Sequence, residues 1–269
     1  SGNAVRAGLD VSSTDRSNSS GFKSSKTGFE LGTSFEQYED FFISPELSAA
    51  FEDIEVDATA SSAIKKMEGS FFNADFGYAI TVDKRNQAFK PTQGHRTTFL
   101  QSIPIIQDSS SFINTFAVST YHDFSEDLIG SMKFLVKSIH GVDDDVRLTN
   151  RLYIPRSRLR GFNTYKVGPK DGDDYIGGNY ASSLSFNSTL PQLFPSLQNI
   201  DFRLFFDTAN VWGVDYDSSL DSSKIRSSTG LSIDWFTPIG PLSFSFAKPI
   251  TKASSDKTET FRFDIGTSF

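Results

Sequence analysis

Apolar and polar residues alternate along most of this chain. In "AVRAGLDVSS", Val5, Ala7, Leu9 and Val11 fall on one side and Arg6, Gly8 and Asp10 on the other, the period-two signature of a strand with one apolar and one polar face. The same pattern sets Phe29, Leu31 and Phe35 against Glu30, Ser34 and Glu36, and Met132, Phe134 and Val136 against Lys133 and Lys137. Phe76, Tyr78, Ile80 and Val82 form a further stripe. Near the end of the chain Leu242, Phe244 and Phe246 alternate with Ser243, Ser245 and Ala247, and Phe261, Phe263, Ile265 and Phe269 alternate with Arg262, Asp264, Gly266 and Ser268. Twelve strands are predicted, at 4–12, 27–37, 45–57, 69–83, 94–106, 111–122, 128–140, 176–190, 199–212, 224–236, 240–249 and 260–269. Short links such as "TPIGP" (237–241) alternate with long polar ones such as "GVDYDSSLDSSK" (213–224), and "SSAIKKMEG" (61–69) is expected to hold a helical turn. No repeat of 20–50 residues is present, which argues against a solenoid.

Two environments use such strands. A soluble sandwich or barrel turns its apolar residues inward, whereas a transmembrane barrel turns them out to lipid and lines its lumen with charge. Arg6, Asp10, Glu30, Glu36, Arg203, Asp207, Asp234, Arg262 and Asp264 all occupy the polar face, on segments near the ~10 residues that a tilted strand needs to cross a bilayer. Backbone groups in lipid must pair internally, so such a sheet closes. The fold predicted is therefore an all-β, antiparallel transmembrane barrel forming one domain over residues 1–269, with a soluble β protein as the alternative.

Composition sharpens this. The 269 residues include 27 Phe but only 2 Met and 2 Trp, with 37% hydrophobic residues and a mean hydropathy of -0.30, as expected when half of each strand faces hydrocarbon. A net charge of -7 argues against nucleic acid as a partner. The absence of cysteine excludes disulfides and thiolate-ligated metals. No window approaches the ~20 apolar residues of a membrane-spanning helix. The opening "SGNAVRAGLD" has neither Met nor a signal segment, so a trimmed chain is expected.

Catalysis finds little support. His95, His122 and His140 are dispersed, and there is no Gly-x-Ser-x-Gly or phosphate-cradling loop. "DDD" (143–145) and "DGDD" (171–174) could attract a cation, but without a regular calcium loop they read as solvated acids. The expectation is a protein without cofactor, metal or enzymatic activity. Trp212 and Trp235 are expected at membrane interfaces.

The basic stretch "SRLRGFNTYKVGP" (157–169) is out of character with an acidic chain. With "GGN" (177–179), "FFDTANVW" (205–212), "STGLSIDWFTPIGPLSFSFAKP" (228–249), the terminal "FRFDIGTSF" and, upstream, "VDKRNQAFKPTQGHR" (82–96), it resembles the BamA-type family of outer-membrane insertases within the BamA/TamA/Sam superfamily. The likeness is strongest over residues 69–269. It implies that Arg160, Gly161 and Phe162 lie on a loop folded back into the lumen, where Arg160 meets Asp207, the acid that strand alternation independently turns inward. Where many relatives carry a second acid in a Ser-Leu-Glu-Phe stretch, this chain has Ser185 in "SLSF", and Asp234 is the expected substitute. Ala209 stands where a glycine is common. The resemblance also makes the last strand, with Phe261, Phe263, Ile265, Gly266 and Phe269, both an assembly signal and one side of a lateral gate. The family's barrel has sixteen strands behind periplasmic substrate-catching domains, so either four strands lie outside this sequence or the barrel is shortened.

The function implied is insertion of other barrel proteins into a bacterial outer membrane. Its implied partners are outer-membrane lipids, unfolded outer-membrane barrel proteins and accessory assembly lipoproteins. Alternatives are a polypeptide-translocating sister of the same superfamily, a passive diffusion porin, and a soluble ligand-binding barrel.

Overall fold

The structure is a computed structural model that describes residues 5–108, 110–191, 199–238 and 240–266. Its strands are β1 (Val5–Asp15), β2 (Phe22–Thr33), β3 (Phe35–Tyr38), β4 (Phe41–Val56), β5 (Gly69–Asp83), β6 (Gly94–Gln107), β7 (Ser111–Asp123), β8 (Ile129–Gly141), β9 (Lys170–Asp171), β10 (Asp174–Tyr175), β11 (Tyr180–Thr189), β12 (Ile200–Trp212), β13 (Arg226–Thr237), β14 (Gly240–Thr251) and β15 (Phe261–Ile265). Twelve of them form one antiparallel meander, β1-β2-β4-β5-β6-β7-β8-β11-β12-β13-β14-β15, with β3 paired to β4. These twelve are the strands that the alternation predicts. Among the described residues no pairing joins β1 to β15, so the sheet has two free edges.

Register fixes the faces. Lys133 of β8 lies opposite Ser185 of β11, Ser185 opposite Asp207 of β12, and Asp234 of β13 opposite Ser243 of β14, so the charged residues share one side. The other side carries exposed Val5, Leu9, Phe29, Leu47, Phe76, Phe186, Leu204, Phe206, Trp235, Phe246, Phe261 and Phe263. Only Phe22, Phe162 and Phe205 are buried among the described phenylalanines. Aromatic rings therefore face hydrocarbon and ionic groups face an interior, the arrangement of a transmembrane barrel. Trp212 ends β12 and Trp235 lies near the end of the antiparallel β13, which puts the two indoles at opposite rims.

What is apolar and buried is the lumen filling. Residues 142–179, between β8 and β11, fold inward and contribute Val146, Leu152, Ile154, Leu159, Phe162 and Val167 to a cluster with Ile139, Ala181, Ala209 and Val211 of the wall. A second cluster joins Leu148 and Ile176 to Phe22, Ile54, Ile64 and Val214. The helical turn expected in 61–69 is α2 (Ser62–Lys65), capped by Ser61 Oγ, which accepts from Ile64 N; a second one, α1 (Ser17–Ser20), links β1 to β2.

Several boundaries differ from expectation: β2 starts at Phe22 and β4 at Phe41, where 27 and 45 are expected, and β1 runs on to Asp15. The strand placed at 176–190 begins at Tyr180, because Gly178 exchanges two hydrogen bonds with Leu152 inside the lumen loop. The strand placed at 27–37 breaks at Ser34 into β2 and β3. The last strand spans only Phe261–Ile265: Gly266, at φ +69, donates its N–H to Pro241 O and lies beyond the strand rather than within it, since that left-handed backbone suits glycine and ends an extended run. Phe269 lies outside the described residues.

Candidate functional site: an arginine loop docked in the lumen

Arg160 sits just past a 3-10 turn (Arg156–Arg158) on the long loop between β8 and β9, and its backbone N–H, Nε and Nη2 are all engaged. Nε and Nη2 donate to the two carboxylate oxygens of Asp207, at 2.8 Å each, and the backbone N–H of Arg160 donates to Asp207 Oδ2 at 3.0 Å. The pair is nearly dry, Asp207 being 0% and Arg160 14% exposed. A bidentate guanidinium–carboxylate pair is strong and fixes orientation as well as position. The guanidinium also lies 3.6 Å from the centre of the Phe205 ring, a cation–π contact from the neighbouring inward position of β12. Ser228 Oγ donates to Arg160 O at 2.5 Å.

The second partner differs from expectation. Arg160 Nη2 donates to Asn187 Oδ1 at 2.7 Å, whereas Asp234 is held by Arg203 at 3.1 Å and accepts from Ser243 Oγ at 2.7 Å. Arg203 lies on the strand next to Asp234 and reaches it first. Ser185 is too short to span to the guanidinium, and Asn187, two residues along the same face of β11, takes the place of an acid.

Gly161 has φ +88, and a Cβ there would come within 2.9 Å of Ala247 Cβ on β14, so both the backbone conformation and the close approach require glycine. Phe162 is buried and bridges to Thr258 in the segment leading to β15. That segment and β15 grip the loop from the other side. Arg262 Nη1 donates to Arg156 O at 2.6 Å and Nη2 to Phe162 O at 2.7 Å, with Glu259 paired to the same guanidinium. Arg156 Nη2 lies 2.5 Å from Asp264 Oδ1. Thus the loop and the terminal strand share polar contacts, while Phe261, Phe263 and Ile265 point outward and exposed.

Two further ion pairs were not apparent in the sequence. Arg226 of β13 makes a bidentate pair with Asp256, both side chains fully buried, and Asp256 also accepts from Ala253 N and Gly168 N. Alternation turns Arg226 inward, but Asp256 stands in an aperiodic Ser-rich segment. In the outer loops, Arg151 pairs with Asp215. Burial works against the Asp215 charge, yet the Asn179 amide, the Val146 N–H and Arg151 outweigh it and hold this carboxyl below its usual range.

At the other end of the lumen, residues 84–93 cross beneath the cavity. Lys90 Nζ reaches Asp201 Oδ2 at 2.7 Å and lies 3.8 Å from the Phe236 ring centre, against which Phe89 packs edge-on. The "VDKRNQAFKPTQGHR" stretch thereby closes a floor, and the Arg160 loop a roof. Among the described residues no three His, Asp or Glu side chains converge as a metal site.

An antiparallel sheet with rings outside, charges inside and a loop plugging the interior defines the transmembrane barrels of outer membranes. The Omp85 superfamily domain matches residues 1–269, and the chain belongs to that superfamily; it is an outer-membrane protein. It is 25% identical over 256 residues to the outer membrane protein assembly factor BamA of Neorickettsia risticii (strain Illinois), covering 92% of this chain and 34% of that protein. It is 28% identical over 219 residues to a SAM50-like protein of Schizosaccharomyces pombe, covering 73% and 44%. The chain thus spans about a third to under a half of the length of these relatives. In structure it resembles BamA from Haemophilus ducreyi lacking POTRA domains 1–3, with a TM-score of 0.84 at 22% identity, over 98% of this chain and 59% of that one.

Proposed function

We propose that this chain is the barrel domain of an assembly factor that folds other β-barrel proteins and inserts them into the bacterial outer membrane, without ATP or covalent chemistry. The observation that carries this reading is the terminal strand. β15 has five residues against twelve in β14, its far edge is unpaired among the described residues, and Arg262 and Asp264 tie it from inside to the docked arginine loop. An underpaired edge accepts an incoming strand by β-augmentation, and a loop fastened to that edge controls when it is free. The relatives' names as assembly factors support the same reading. The substrates are unfolded outer-membrane barrel proteins, the surroundings are outer-membrane lipids, and accessory assembly lipoproteins are the expected protein partners.

The test is Arg160→Ala in proteoliposomes given a urea-unfolded barrel substrate, with folding followed by heat-modifiable electrophoretic mobility. The expected result is a fall to the rate of protein-free liposomes; an unchanged rate rejects the role given to the loop. Planar-bilayer conductance separates the porin alternative: a lumen closed by a roof and a floor gives small, flickering currents, whereas a large steady pore contradicts this function.

A further inference from the structure

Between roof and floor lies a cavity of about 360 Å³, lined among others by Lys90, Lys133, Arg160, Ser185, Asp201 and Arg203. Most of its cations have an acid of their own: Lys90 and Arg203 share Asp201, Arg203 also holds Asp234, Arg156 holds Asp264, and Arg160 holds Asp207. Lys133 does not. Among the described residues it makes no ion pair, and the positions facing it across the sheet are serines on both sides, Ser119 of β7 and Ser185 of β11. Its charged neighbours are Arg158, Arg203 and Arg160, with Asp234 as the acid. Arg158 also lies near Lys137, two inward positions further along β8, and neither makes an ion pair among the described residues, Asp207 being the acid in reach of Arg158.

One further group here points to a ligand. Ser185 is 2% exposed, lines the cavity and has no hydrogen-bond partner for Oγ among the described residues. A buried donor without an acceptor is costly, and an ammonium without an ion-pair partner inside the barrel wall compounds that cost.

We infer that the lumen cavity binds a small oxyanion, a phosphate or a carboxylate, held by the Lys133 ammonium and the Ser185 hydroxyl. This site is distinct from the Arg160–Asp207 pair, in which both carboxylate oxygens are taken by Arg160, and it stands whether or not the barrel inserts other proteins.

The experiment is isothermal titration of the folded chain in detergent micelles at constant ionic strength, with sodium phosphate in one arm, sodium acetate in the other and sodium chloride as reference. Saturable 1:1 uptake in either arm is expected, and the arm that saturates identifies the class. Lys133→Gln weakens it by about tenfold or more, the value of one charge-assisted hydrogen bond. Ser185→Glu supplies a built-in carboxylate next to Lys133, so this variant folds and loses uptake. Lys26→Gln removes an inward-facing charge on β2, remote from this cavity, and leaves uptake unchanged. Heats equal to the chloride reference in both arms, or undiminished uptake by Ser185→Glu, overturn the proposal. A loss in Lys26→Gln as large as in Lys133→Gln also overturns it, by identifying an adventitious ion only.

Discussion

The two halves of the lumen use the same ion-pair chemistry in opposite environments. At β1, Arg6 lies 2.8 Å from Glu46 and 3.6 Å from Glu30, but it is 68% exposed and the acids 38% and 41%. At β12, Arg160 and Asp207 meet at the same distance with hardly any solvent access. Water screens the first pair to a small contribution. In the second, solvent has been replaced by Phe205, Asn187 and the loop backbone, and each charge depends on the other. The lesson is that the lining charges of a barrel become structural only where a loop covers them.

Removing one partner of each pair tests this contrast. Asp207→Ala strands a buried guanidinium and is expected to destabilise the docked loop by about 3–5 kcal/mol, read as loss of protease protection over residues 142–179 and a lower unfolding midpoint. Gly161→Ala forces a side chain onto a backbone at φ +88 and against Ala247, at about 1–3 kcal/mol; Ala247→Gly in the same chain relieves the steric part but not the backbone strain, so rescue is partial. Acid sharpens the comparison in the outer loops. Because Asp215 titrates below its unfolded value, its contribution is complete above the unfolded pKa of about 4 and is lost as pH falls through the lower folded value. Hydrogen exchange at residues 146–151 should therefore rise below about pH 4 and not between pH 5 and 8. Glu46→Gln, on the exposed pair, should shift stability by less than about 1 kcal/mol and less still in high salt.

Strand alternation made the wall legible, because each register position in a barrel has only two environments and these differ in polarity. The inward direction of Asp207, Asp234, Arg262 and Asp264 followed from it. Contacts made by irregular segments did not. Asn187 as the second partner of Arg160, Arg262 as a clamp on loop carbonyls 100 and 106 residues away, and Asp256 beneath Arg226 depend on how the loop enters the lumen, and no local period encodes that path. The assignment of Asp234 to Arg160 failed for a related reason: alternation indicates which face a residue occupies but not which of several cations on that face lies nearest. Gly266 was misplaced because a glycine that loosens a strand and one that stops it look the same in sequence.

The apolar filling of the lumen draws on Phe22 and Ile54 near the start of the chain and on Val211 and Val214 far along it. Residues 142–179 therefore cannot settle when they are first available; they must wait until β12 has been laid down, and for their grip on Thr258 until the chain is nearly finished. Contacts of such long sequence separation form late and slowly. The hollow sheet should accordingly assemble first as an unstoppered trough, and the sealing of its interior should be the slow step in acquiring the native state.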